Sequence, residues 1–108
     1  MTTRLEKLHE MLAQDPQNAF LRYALAQELA NQSRLEEAAA EFARLIEGHP
    51  DYCYAYFHGG RTLEKLGRSR EARELYSRGI QAAIGKGDEK ARSELEAALE
   101  SSEPGNTE

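Results

Sequence analysis

Valine and tryptophan are absent from this 108-residue chain; isoleucine occurs three times and threonine four. A pleated sheet selects β-branched and aromatic side chains, so a β-rich fold is starved of material. A single cysteine, Cys53, excludes an internal disulfide and fits a reducing cytoplasm. No apolar run approaches the roughly 18 residues that a spanning helix needs, so no membrane segment is expected. The start, MTTRLEKLHEML, lacks the apolar core and small-residue cleavage site of a secretory signal. Positive charge is also short: 14 Lys and Arg face 19 Asp and Glu, a net −5 that opposes binding to phosphate backbones. What the chain has is helix-forming material. Ala (16), Leu (13), Glu (16), Arg (10) and Lys (4) make 59 of the 108 residues. One small, all-α, cytoplasmic domain is expected.

Pro16 and Pro50 stand 34 residues apart, and the same shift aligns other positions. Leu8, Phe42 and Tyr76 form one series of large residues; Leu12, Ile46 and Ile80 form another. Ala38 matches Ala72, Leu29 matches Leu63, Ala26 matches Gly60 and Glu37 matches Glu71. Caps and breakers divide each period into two helices. Asn18 caps a helix predicted over Ala19–Asn31, and a second runs over Leu35–Glu47 before Gly48 and Pro50. The next period predicts helices at Tyr52–Leu66, with Gly67 as stop, and at Ser69–Ala83. Thr3–Gln14 precedes them with Leu5, Leu8, Met11 and Leu12 on one stripe. Gly85-Lys86-Gly87 reads as a flexible linker, after which Asp88 caps a last helix to Ser101 with Ala91, Leu95, Ala98 and Leu99 on its apolar stripe.

A 34-residue helix–turn–helix unit of this kind resembles the tetratricopeptide repeat. Leu25-Ala26, Leu29, Ala38, Phe42 and Pro50 match that family's small, large and terminal-proline positions, as do Tyr56, Gly60, Leu63, Gly67, Ala72, Tyr76 and Gly79. The resemblance implies a right-handed α-solenoid of about six helices and a single domain over residues 3–101. Its parts are a half repeat (3–17), repeat 1 (18–51), repeat 2 (52–85) and a capping helix (88–101). The polar tail, 102–108, is expected to be disordered. Four positions depart from the family pattern. Arg22 replaces an early aromatic, Ser33 replaces the turn glycine, Ile84 stands in place of a terminal proline, and Gly59-Gly60 fall mid-helix, where one small residue would suffice.

No catalytic constellation is apparent, so an enzyme is not expected. Cys53 has His49 and His58 nearby in sequence but no third orienting group, which favours an ordinary thiol. His9, His49 and His58 lack ligand-like spacing, so no metal is expected; no cofactor is expected either. Residues 61–78 carry Arg61, Lys65, Arg68, Arg70, Arg73 and Arg78 against Glu64, Glu71 and Glu74, a local +3, whereas seven acids from Asp88 to Glu108 oppose Lys90 and Arg92. Two readings stay open: solvated faces, or a basic patch that receives an acidic partner such as a second copy. Nucleic acid is not expected, because stacking aromatics are not interleaved with the arginines.

In the family resembled, the first helix of each repeat lines a concave groove. The matching positions here are Phe20, Tyr23, Gln27, Ala30 and Asn31, then Tyr54, Phe57, Arg61, Glu64 and Lys65, with His58 adjacent. The resemblance therefore implies a protein or peptide partner held in that groove, Phe20 and Tyr23 lying beside Tyr54 and Phe57 with Gln27, His58 and Lys65 at the polar edge. The alternative is a structural protein whose groove is filled by its own cap helix or, in a homodimer, by a second copy. Family members that clamp a C-terminal carboxylate use Lys, Asn and Arg at positions occupied here by Tyr23, Gln27, His58, Asp88 and Arg92. Only Arg92 fits, so carboxylate clamping is not expected.

Overall fold

Helix boundaries fall where capping chemistry puts them. The computed structural model describes residues 2–102, among which there are six α-helices and no strand. They are α1 (Arg4–Gln14), α2 (Ala19–Asn31), α3 (Leu35–Gly48), α4 (Cys53–Lys65), α5 (Ser69–Lys86) and α6 (Glu89–Ser101). Thr3 and Glu6 form a capping box on α1, the Glu6 amide donating to Thr3 Oγ1 (3.1 Å) and the Thr3 amide to Glu6 Oε1 (2.9 Å). Asn18 caps α2 through the Leu21 amide, and Asp88 caps α6 through the Ala91 amide, each at 3.0 Å. α3 and α5 have no side-chain cap at their starts.

Three helices end in the same way. Ser33, Gly67 and Gly87 take positive φ (61°, 78° and 74°) after α2, α4 and α5. The next amide then reaches back to a carbonyl: Arg34 to Leu29, Arg68 to Leu63, Asp88 to Ala83, all at 2.9 Å. The linker expected at Gly85-Lys86-Gly87 is therefore a single residue. With Ile84 in place of a proline nothing stops α5, which continues through Lys86 until Gly87 turns it. Ser102, placed in the tail by sequence, accepts a hydrogen bond from Arg73 and caps α6; residues 103–108 lie outside the described residues.

Each helix packs on the next, α1 on α2 through α5 on α6. In addition α2 touches α4 and α4 touches α6, whereas α3 and α5 do not meet. Hence α2, α4 and α6 form an inner layer and α1, α3 and α5 an outer one, and the right-handed α-solenoid curves toward the inner layer. Between α3 and α5 the outer side leaves a groove of about 600 Å³ over Ala39, Ala43 and Leu75.

The core explains both mid-helix glycines. A Cβ at Gly60 would stand 2.7 Å from Cζ of Tyr76, inside the ring of a fully buried side chain. A Cβ at Gly59 would meet different neighbours, Leu75 Cδ2 at 3.0 Å and Phe42 Cβ at 3.2 Å. One small residue does not suffice, because α4 is crossed on two adjacent faces. The contact is reciprocal: Gly79 of α5 receives Tyr56 of α4, whose Cβ would lie 2.6 Å from an added Cβ. On the N-terminal helix, Leu8 and Leu12 are buried, but Met11 faces outward, 46% exposed. Arg22 substitutes an ion pair for the missing aromatic, its Nη1 2.7 Å from Glu41 Oε1 of α3.

Two substitutions check this packing. Gly60→Ala is expected to cost about 1–3 kcal/mol by overpacking against Tyr76. Gly59→Ala should cost less, because Leu75 can yield and alanine improves helix propensity by about 1 kcal/mol. Urea denaturation of both variants reads the difference; equal values would mean that Tyr76 does not constrain position 60. Ser33→Gly is expected to stabilise by about 1 kcal/mol, since the left-handed conformation penalises any side chain with a Cβ. An unchanged or lower denaturation midpoint would refute the strain at Ser33.

Candidate functional site

The inner layer presents a run of aromatic rings built from two helices. Tyr23 projects from the second turn of α2, and Tyr54 and Phe57 lie three residues apart on one face of α4. Between them stands His58, its ring 5.8 Å from Tyr23, 5.0 Å from Phe57, 6.4 Å from Tyr54 and 6.5 Å from Phe42. The contacts with Tyr23 and Phe57 are edge-on (64° and 89°), a favourable arrangement of ring quadrupoles. His58 was expected at the polar edge, but it is the hub of the cluster. Its i−4 and i−1 neighbours on α4, Tyr54 and Phe57, meet the ring from α2 only once the helices pack.

Tyr52, which sequence reasoning passed over, belongs to the same wall and lies 5.3 Å from Tyr23. By the 34-residue shift it occupies the place of the N-cap Asn18, and α4 has no side-chain cap. An aromatic where a cap is due was the signal available. Phe20 takes no part in the ring cluster and is 69% exposed. Tyr23, Tyr52, Tyr54 and Phe57 are by contrast half-buried and packed against the core.

Polar groups border the rings. Gln27 Nε2 donates to Tyr23 Oη (3.4 Å), and the Arg61 guanidinium lies over the Phe57 ring, 5.7 Å from its centroid. Lys65 is exposed in the last turn of α4, where a cation suits the helix dipole. Burial holds the His58 imidazole below its ordinary pKa of 6.5, with Arg61 adding to the effect and Glu94 opposing it. The Tyr54 hydroxyl is pushed up to about 12 by burial and by the neighbouring Glu94 carboxylate.

Other side chains singled out by sequence are absorbed by the structure. Cys53 is 4% exposed with its Sγ 3.5 Å from the Asp51 carbonyl, and burial raises its pKa, the opposite of an activated thiol. His49 Nε2 sits 3.1 Å from the Gln17 carbonyl, engaged away from Cys53. Much of the basic stretch is tied down. Arg68 binds Glu71 and Glu36, Arg78 covers the Tyr56 ring, and Arg73 donates to the Leu99 carbonyl (3.0 Å) and Ser102 Oγ (2.7 Å) at the end of α6. Arg92, the one side chain that fitted a carboxylate clamp, is held by Glu89 (2.8 Å) and Glu96 (3.0 Å). Among the described residues no three His, Cys, Asp or Glu side chains converge as a metal site would require, and no helix is long and apolar enough to cross a membrane.

The depressed His58 pKa makes stability depend on pH in a definite direction. The unfolded chain binds the proton more readily, so the neutral ring's contribution is complete above about pH 6.5 and is lost as pH falls through the lower folded value. Melting temperature is therefore expected to drop between pH 7 and pH 5, and to drop less in His58→Gln. Parallel pH profiles would remove His58 as the source.

Comparison with known proteins gives a consistent picture. No family model matches the chain. It is 30% identical over 91 residues to a TPR repeat-containing protein of Pseudomonas aeruginosa, covering 84% of this chain and 87% of that one. The solution structure of a tetratricopeptide repeat domain protein from Salinibacter ruber superposes with a TM-score of 0.75 at 41% identity, covering 79% of this chain and 86% of the other. A protein from Bordetella parapertussis gives a TM-score of 0.79 at 30% identity over 93% of this chain and 87% of its own.

Proposed function

Because the chain belongs to the tetratricopeptide-repeat family, we propose that it is a non-catalytic, cytoplasmic protein-interaction module that binds an extended segment or a helix of a partner protein along its inner layer. The fold is an interaction scaffold in that family. The observation that carries the reading is the continuous wall of Tyr23, Tyr52, Tyr54 and Phe57 around His58, rigid rings that supply contact area at low entropy cost. Gln27, Arg61 and Lys65 border it and would complete the contact, with the exposed Phe20 as a further apolar contact on α2. Nucleic acid is disfavoured, since Arg68, Arg73 and Arg78 are engaged within the protein and the net charge is −5.

A second reading has one observation in its favour: α6 packs directly on α4 and so borders the same wall. In that reading the cap, or a second copy, fills the groove. Sedimentation velocity over a hundredfold dilution tests the second copy, a concentration-independent monomer excluding it.

Tyr54→Ala combined with Phe57→Ala is expected to leave a folded, helical protein. Each half-buried ring contributes about 1–1.5 kcal/mol through burial, so the loss should stay near 2–3 kcal/mol. Affinity capture from the source cell should then lose the proteins that the wild type retains. Recovery of the same proteins by the double variant would refute the groove.

A further inference from the structure

The cleft between α4 and α6 adjoins the aromatic wall and shares Phe57, Arg61 and Glu94 with it. It encloses about 440 Å³ and is lined by Phe57, Arg61 and Glu64 of α4, Tyr76 of α5, and Glu94 and Ser101 of α6. Tyr76 is 0% exposed, and its hydroxyl is the single buried side-chain polar atom among the described residues without a hydrogen-bond partner. The Glu64 carboxylate stands beside that oxygen. A buried hydroxyl left unpaired is a standing cost that calls for a reason. Packing is not the reason, because Phe42 fills the equivalent place one repeat earlier with no hydroxyl at all.

The charges around the cleft indicate what would satisfy it. Glu64 and Glu94 are both half-buried, and neither enters an ion pair among the described residues. Arg61 is exposed and turned onto the Phe57 ring. An incoming anion would face two carboxylates against one guanidinium. An incoming cation would face the reverse, together with a phenol oxygen that has free lone pairs.

We propose that this cleft is a subsite for a basic side chain of the bound segment, its ammonium or guanidinium held by Glu64 and Glu94 with the Tyr76 hydroxyl as a further acceptor. The aliphatic stem of that side chain lies along Phe57 and Ala98. The subsite rests on the reading of the inner layer as a peptide groove, and it narrows the partner: a segment with an aromatic or large aliphatic residue for the Tyr23–Tyr54 wall and a lysine or arginine close to it in sequence.

Panning a displayed library of random dodecapeptides against the full chain tests this. Enriched peptides are expected to pair a basic residue with a large apolar one. By fluorescence anisotropy they should bind about tenfold more weakly to Glu64→Gln combined with Glu94→Gln, and a few-fold more weakly to Tyr76→Phe, with affinity falling as salt rises. Tyr76→Phe removes only the unpaired hydroxyl and should melt no lower than the wild type, so it carries the test even where the charge variant fails to fold. Peptides that need Tyr54 and Phe57 but carry no basic residue, or basic peptides bound equally well by these variants, overturn the subsite and leave the groove standing. Acidic peptides that depend on Arg61 do the same. No enrichment, or peptides indifferent to Tyr54→Ala with Phe57→Ala, overturns the groove and the subsite together.

Discussion

The reciprocal seating of two tyrosines on two glycines, Tyr76 of α5 on Gly60 of α4 and Tyr56 of α4 on Gly79 of α5, sets the position of everything downstream of α3. With a Cβ at either glycine the helices could not approach so closely, and without the rings the gap would be a void. Van der Waals contacts of this kind are individually weak and fall off steeply with distance, so the pair acts as a gauge of interhelical separation. Gly59 adds a second gauge on the neighbouring face against Phe42 and Leu75. α4 is thereby clamped from the α3 and α5 sides, and its remaining face, with Tyr54, Phe57, His58 and Arg61, is turned to the inner layer.

Curvature follows from the same geometry. The backbones of α2, α4 and α6 approach one another while those of α3 and α5 stay apart, and the aromatic wall lies on the inner side. Burial among these aromatic rings favours the neutral form of His58. The wall and the protonation state of its central residue are one arrangement.

The arginines show how far local charge can mislead. Residues 61–78 are basic as a string of letters, yet the fold distributes them over an aromatic face at Phe57, another at Tyr56, the end of α6 and the glutamates of two turns. Arg34–Glu37 and Arg68–Glu71 repeat the same exposed pairing 34 residues apart, and contribute little to stability individually. An excess of charge along a segment says nothing of partners that arrive from other helices.

By itself the sequence determined the period, the helices within about a turn, and the small and large positions at the crossings. Each of these depends on spacing along one chain segment, which the letters state directly. Tertiary structure alone decided that His58 is a hub, that Tyr52 replaces a cap to stack on Tyr23, that Phe20 stands aside, that both Gly59 and Gly60 are needed, and that the Tyr76 hydroxyl has no partner. Those are encounters between side chains of different helices. Periodicity assigns a residue to a face, but the separation and rotation of the packed helices determine which atoms on facing surfaces come within reach.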